Sequence, residues 1–245
     1  MASLVIIAAG NGKRMEDITI PKALYEINGK PNLYNTIHKS MKLFDKIFLI
    51  IKSTSYKQFD EFCKKYEFNN CVLIPIESGL GDGHAVMTAL MQPQITDDEC
   101  IILWGDAYLY NNEIIKELLD VKLSKRTPVV FPVNSEETPY VTIIVDQMMN
   151  VLGADFSKLE ECHKLGLHDQ SIFKVNKKIL LKTLMNMHAC FWKNGRYISE
   201  SKELNLLHSF HVLNNIHTPA RAYISDYSVG CFNTCEEASN IANTC

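Results

Sequence analysis

No apolar stretch in this chain approaches the ~18–20 residues needed to cross a bilayer. The longest, Leu4–Ala9 and Ile47–Ile51, have the length of buried strands. The opening MASLVIIAAG lacks the basic first segment of a secretory leader, so we expect a first strand, no membrane partner and a cytoplasmic protein. Glycine (11) and proline (8) are sparse in 245 residues, which excludes collagen-like and low-complexity chains. No internal repeat is visible, hexapeptide repeats included, so no β-helix half is expected. Positive charge is not in excess, because 25 Lys and Arg against 28 Asp and Glu leave −3. No global field draws nucleic acid, and a phosphate-rich partner must be held by a few local cations or a metal ion. The eight cysteines contain no CxxC pair, and Cys231 and Cys235 lack a matching second pair for zinc. They read as reduced and unpaired. No HExxH surrounds His208 and His211, and no Ser/His/Asp set is evident.

What is present is an alternation of strand and helix patterns. Ser3–Ala9, Lys46–Ile51, Cys71–Ile76, Cys100–Trp104 and Pro128–Pro132 read as buried strands. Between them, Leu33, Ile37, Met41 and Phe44 mark a helix face, as do Tyr56, Phe59, Phe62 and Tyr66. His84–Met91 and Asn112–Val121 complete the helices of this half. Such alternation implies right-handed crossovers and a mostly parallel sheet. Later, Val141–Val145 and Val151–Ala154 form a hairpin around Asp146–Asn150. Phe173–Val175, Met187–Trp192 and Ala222–Ile224 read as strands, Lys178–Met185 and Ser201–Leu213 as helices, and a last helix begins near Thr234. The expected fold is α/β, with a mixed, mostly parallel central sheet flanked by helices and a small antiparallel hairpin region. With no linker visible, residues 1–245 read as one domain.

Four loops carry the chemistry. Ala8, Ala9, Gly10, Asn11, Gly12, Lys13 and Arg14 follow the first strand. Two glycines let backbone approach phosphate oxygens, and Arg offers two donors to them. The loop is not a Walker loop, because Ile7 and Arg14 stand where Gly and Ser/Thr are required. It is not a dinucleotide fingerprint, because Met15 occupies the third glycine's place. Lys22, in Pro21-Lys22-Ala23-Leu24, is a candidate second clamp. Gly79, Gly81, Asp82 and Gly83 lead into a helix whose N-terminus offers N–H groups. Trp104-Gly105-Asp106 ends an apolar strand, where a carboxylate suits magnesium. All four leave carboxyl ends of parallel strands, the edge at which open α/β sheets bind ligands. Phosphate-gripping backbone, cations and a metal carboxylate in one crevice read as phosphoryl or nucleotidyl transfer chemistry.

These motifs resemble those of the sugar-nucleotide pyrophosphorylase superfamily of nucleotidyltransferases. AAGNGKRM at Ala8–Met15, PKAL at Pro21–Leu24, GLGDGHAV at Gly79–Val86 and WGD at Trp104–Asp106 carry the likeness over roughly residues 4–110. The uridylyltransferase half of the bacterial enzyme that makes UDP-N-acetylglucosamine is especially similar. The resemblance implies Mg²⁺-dependent nucleotide transfer from a nucleoside triphosphate to a small phosphorylated acceptor, with release of pyrophosphate. It implies that residues 1–133 hold nucleotide, through Ala8–Lys13, Gly79, Gly81, Asp82 and Gly105. Arg14 would sit on the leaving β,γ-phosphates and Lys22 on the α-phosphate and the acceptor phosphate. Asp106 would ligate Mg²⁺, with Asn233 as the best match for the second ligand and Asp226 in reserve. Residues 134–245 would bind the acceptor, for which Tyr140, His188 and Asp226 are the candidates.

The sequence departs from the family pattern where base and acceptor are read. Asp82 replaces a threonine, and Ile76 stands near a base-reading glutamine. Tyr140 lacks the following glycine, and Asn186–Phe191 replaces the family's N-x-G acceptor stretch. These departures favour a non-sugar acceptor and, slightly, CTP over UTP, with a product that supplies surface polysaccharide or lipid modification. A sugar-1-phosphate uridylyltransferase remains the alternative. From other classes, a glycosyltransferase would want a D-x-D pair where Asp106-Ala107-Tyr108 offers one Asp. A non-catalytic nucleotide-binding regulator would lack the cations.

Overall fold

The structure is a computed structural model that describes residues 2–10, 15, 19–77, 80–137, 139–156, 165–199 and 201–244. In the first half, β1 (Ala2–Ala8) leads through a 3₁₀ turn (Lys22–Leu24) to the short β2 (Glu26–Ile27) and β3 (Lys30–Pro31). There follow α1 (Asn32–Ser40), β4 (Ile47–Lys52), α2 (Tyr56–Lys65), β5 (Cys71–Ile76) and α3 (Asp82–Leu90). Next come β6 (Glu99–Trp104), β7 (Ala107–Leu109), α4 (Glu113–Asp120) and β8 (Val129–Glu136). The second half runs through β9 (Val141–Val145), β10 (Val151–Phe156), β11 (Gly166–Asp169), β12 (Ile172–Asn176) and α5 (Lys177–Phe191). It ends with β13 (Trp192–Lys193), β14 (Arg196–Tyr197), α6 (Leu206–Asn215), β15 (Arg221–Ile224), β16 (Val229–Cys231) and α7 (Cys235–Thr244).

Among the described residues the main sheet has eight strands, in the order β5–β4–β1–β6–β12–β8, with β8 pairing also to β11 and β15. β5, β4, β1 and β6 are mutually parallel, and β15 is parallel to β8. β12 runs antiparallel to both β6 and β8, and β11 antiparallel to β8, so two reversed strands join an otherwise parallel sheet. β1, β4 and β6 are buried on both faces. Val5, Phe48, Ile50 and Ile102 serve one core, and Leu4, Ile6, Leu49, Ile101 and Leu103 the other. That two-sided burial is why these strands read as unbroken apolar runs. The chain passes from β1 outward to β4 and β5, then returns to β6 on the other side of β1. Strand order therefore reverses between β1 and β6, and a ligand crevice is expected outside their carboxyl ends.

Two expected elements differ. Met187–Trp192 is no strand, because α5 runs to Phe191. Its buried face, Leu180, Thr183, Leu184 and Met187, keeps helical spacing, and Asn176 caps it by accepting the Ile179 N–H at 3.0 Å. A short apolar run does not by itself distinguish strand from helix. The helix expected from Ser201 starts at Leu206. The preceding residues instead cross the start of α3, and Ser199 and Ser201 donate to the Glu203 carbonyl in a local turn. The hairpin of β9 and β10 forms as expected. No helix among the described residues is long and apolar enough to cross a membrane.

Candidate active site

The Pro21–Leu24 segment explains itself from its residue types. Pro21, at φ −56°, enters the 3₁₀ turn, and Ala23 and Leu24 are buried in the core under α1. The turn is thus pinned by its apolar pair, and Lys22 is left to reach across. Its Nζ lies 2.5 Å from Asp106 Oδ2 and 3.1 Å from Asn233 Oδ1, over the Phe232 ring at 5.2 Å from the centroid. The side chains of Lys22 and Asp106 are 15% and 30% exposed, so water reaches the pair and screens it.

Asp106 is aimed by a tight junction. The Gly105 N–H donates to the Ile7 carbonyl at 2.8 Å. A Cβ on Gly105 would stand 2.8 Å from that of Ala8, so glycine is required there by close approach. The fully buried Asn32 amide then donates to the Gly105 and Ala107 carbonyls, at 3.0 and 3.1 Å, on either side of Asp106. Asn233 arrives from far along the chain. β16 pairs antiparallel with β7, Cys231 opposite Ala107, which returns the chain to the end of β6. At the start of α7, Thr234 Oγ1 accepts the Glu237 N–H at 3.2 Å, and the Glu237 carboxylate accepts the Asn233 N–H. This box-like cap satisfies the backbone and leaves the Asn233 side chain to face Lys22.

Ala8, Ala9 and Gly10 lie at the carboxyl end of β1, beside this trio's strand. Asn11, Gly12, Lys13, Arg14 and Gly79 lie outside the described residues. At the start of α3 the glycines have a structural reason. Cβ atoms on Gly81 (φ +99°) or Gly83 would meet the Leu204–Leu206 backbone within 2.4–2.9 Å. The Gly83 N–H donates to the Leu204 carbonyl at 2.8 Å, and Asp82 Oδ1 accepts the Gly83 and Leu206 N–H groups at 2.6 and 2.8 Å. The Gly83 N–H is therefore already engaged, contrary to the expectation of an open N-terminus. Asp82 ties α3 to α6. The residue keeps an exposed side, yet the protein crowding its carboxyl raises the pKa to about 6, and the two N–H donors pull the other way.

The three acceptor candidates belong to three different segments of the chain. Tyr140 precedes β9 and is 44% exposed, and Asp226 is exposed beyond β15. His188 lies on α5, its Nδ1 2.7 Å from the Tyr197 hydroxyl, with His84 Nδ1 also at 2.7 Å. None of the three takes part in the hydrogen bonds of Lys22, Asp106 and Asn233 given above. The pattern also missed residues that the fold brings to this edge. Asp169, Gln170 and Ser171 join β11 to β12, where the Ser171 carbonyl accepts the Trp104 N–H at 3.0 Å. Burial raises the pKa of Asp169, against the downward pull of His168 and the Ser171 N–H. Gln170 Oε1 accepts the Val229 N–H at 3.0 Å, while its buried Nε2 has no partner among the described residues. Burial also raises the Cys231 thiol, which donates to Ser171 Oγ at 3.1 Å. No spacing rule marks His168-Asp169-Gln170-Ser171 as a site in the sequence.

Two hard oxygens, one anionic, converge on a single cationic atom. That donor set fits Mg²⁺, which favours one or two carboxylates and takes its other ligands from phosphate and water. Among the described residues no cluster of three or more His, Cys, Asp and Glu side chains offers an all-protein metal cage.

This mixed sheet, whose strand order reverses between β1 and β6, is that of the nucleotidyltransferases. The family model for the MobA-like NTP transferase domain matches residues 4–178, and the chain belongs to that family. The bifunctional protein GlmU of Herminiimonas arsenicoxydans is 29% identical over 180 residues, 73% of this chain and 37% of that protein. The chain spans less than half the length of such relatives. Among solved structures, the inositol-1-phosphate CTP transferase from T. maritima superposes with a TM-score of 0.76 at 11% identity, covering 99% of this chain and 94% of that one. UDP-glucose pyrophosphorylase complexed with UDP-glucose gives a TM-score of 0.76 at 14% identity, covering 100% and 98%.

Proposed function

We propose that this chain transfers a nucleoside monophosphate from a nucleoside triphosphate to a small phosphorylated acceptor, releasing pyrophosphate. The observation that carries the reading is the meeting of Lys22, Asp106 and Asn233 at the β1–β6 crevice of a member of this family. An acceptor phosphate oxygen attacks the α-phosphorus in line, and the bond to the bridging oxygen breaks. Phosphates are already ionised, so no general base is needed. Lys22 neutralises charge at the α-phosphate, and Arg14 is assigned to the leaving phosphates. Asp106 and Asn233 would hold Mg²⁺, which supplies positive charge to the triphosphate when bound. Residues 1–133 form the nucleotide half and 134–245 the acceptor half, with Asn233 crossing back. CTP is slightly favoured over UTP, and the fold is shared with a CTP transferase and a UDP-glucose pyrophosphorylase.

The test is pyrophosphate release with each nucleoside triphosphate against phosphorylated sugars, polyols, alcohols and amino compounds. Turnover with a non-sugar phosphate and CTP is the expected result. Turnover with UTP and a sugar 1-phosphate would establish the alternative uridylyltransferase. Release of nucleoside diphosphate would point to a glycosyltransferase, and no turnover with any pair to a binding protein. Lys22→Ala is expected to cut turnover by roughly 10²–10³, by analogy with loss of one preorganised donor.

A further inference from the structure

We propose that Lys22 is also a gate on the metal site: its ammonium competes with the divalent cation for Asp106 and Asn233, so the metal enters only as Lys22 leaves. The inference rests on the functional reading above for the identity of the metal pair, and goes beyond it in coupling the two cations. Lys22 Nζ is 2.5 Å from Asp106 Oδ2 and 3.1 Å from Asn233 Oδ1. A magnesium ion bound to those same oxygens would sit about 2.0–2.1 Å from each. Both cations would then share one small volume, with two like charges in contact and one carboxylate to offset them. The two arrangements therefore exclude each other.

The rest of the site supports an exchange rather than a fixed pair. The backbone on either side of Asp106 is held by Asn32, so its short side chain has little reach to follow Lys22. Asn233 is held by the cap at the start of α7. Lys22 has the long, flexible stem, on a turn fixed by its buried neighbours Ala23 and Leu24. Lys22 is thus the member of the trio that moves, and a phosphate is the natural new partner for its ammonium. Occupation of the crevice by metal and triphosphate releases Lys22 from Asp106 and delivers it to the phosphate. The ion pair keeps the two carboxyl-edge oxygens neutralised until then.

The consequence is counterintuitive, because removing a catalytic cation should tighten metal binding. If the pair is closed nine-tenths of the time, opening it permanently raises apparent metal affinity about tenfold. The measurement is Mn²⁺ binding to the nucleotide-free chain, read from the electron paramagnetic resonance signal of free Mn²⁺. Lys22→Gln and Lys22→Met are expected to bind Mn²⁺ about tenfold more tightly than the parent, and Lys22→Arg, which keeps a competing cation, less tightly than either. Equal or weaker Mn²⁺ binding in both neutral variants, each shown folded by circular dichroism, overturns the gate. Asp106→Asn distinguishes the two levels. Loss of Mn²⁺ binding there upholds the metal pair, whereas parental affinity there removes the metal assignment and the gate with it. A second readout is acetylation of Lys22 by acetic anhydride, followed by mass spectrometry. Mn²⁺ should raise the Lys22 acetylation rate in the parent, and an unchanged rate at saturating Mn²⁺ counts against release.

Discussion

Lys22 and Asp106 form an ion pair that water still reaches, and pairs of that kind contribute about 0–1 kcal/mol to folding. Their value to the molecule is therefore chemical. Lys22→Ala should move the urea midpoint by no more than that small amount while activity collapses, and parallel losses of stability and activity would refute the separation. Asn32 is the opposite case. Its side chain is fully buried and donates to the two carbonyls that flank Asp106. Asn32→Ala removes this donor from the Gly105 carbonyl, whereas the Ala107 carbonyl keeps the Thr36 hydroxyl at 3.2 Å, so the cost is about 1–3 kcal/mol for the one group left unsatisfied. Urea unfolding should show the loss, and pyrophosphate release should fall because the Asp106 turn is no longer held. A variant as stable as the parent would remove Asn32 from this role.

The segment from β13 to the start of α6 acts as a strap across α3. One end is held by the backbone bonds of Leu204 to Leu80 and Gly83 and by the Asp82 carboxylate, which accepts the Leu206 N–H. Tyr197 holds the other, with His84 from α3 and His188 from α5 both on its hydroxyl. One hydroxyl proton serves two imidazoles, so the neutral rings must take complementary roles, one accepting and one donating. The pKa of His84 is lowered from its ordinary 6.5, first by burial and then by His188. A depressed imidazole stays neutral in the fold while the unfolded chain binds the proton. Its contribution to stability is complete above pH 6.5 and drains away as pH falls through the lowered folded value. His84→Gln should therefore flatten the decline in unfolding midpoint between about pH 7 and 5. An acid limb as steep as the parent's would place the titrating group elsewhere.

For the whole molecule, the proposed site joins β1, β6 and the Lys22 turn to a residue more than two hundred positions away. Anything that binds this assembled edge and not the unfolded chain must stabilise the fold. A nucleoside triphosphate with Mg²⁺ at 100 times its dissociation constant should add about 2.7 kcal/mol. The thermal midpoint should rise with the magnesium–nucleotide complex, rise less with nucleotide and chelator, and rise little in Asp106→Asn. An equal rise in that variant would place the nucleotide away from the β6 end.

Much of this was written in the linear order of residues. Leu4–Ala9, Ile47–Ile51 and Cys100–Trp104 announce buried parallel strands because both of their faces need apolar cover. Lys22 and Asp106 stand out because charge at the end of such a strand, or beside a pinned Pro-Lys-Ala-Leu turn, has a local signature. Asn233 was named only through the family resemblance, and the bond from Asn32 to the Asp106 turn, the engagement of Asp82 with Leu206, and the bond from Trp104 to the Ser171 carbonyl had no such signature. Each depends on where the β7–β16 ribbon, the reversed β12 and the strap carry distant chain segments. Those paths follow from packing against the whole sheet, whereas hydrophobic period and turn chemistry report only on near neighbours.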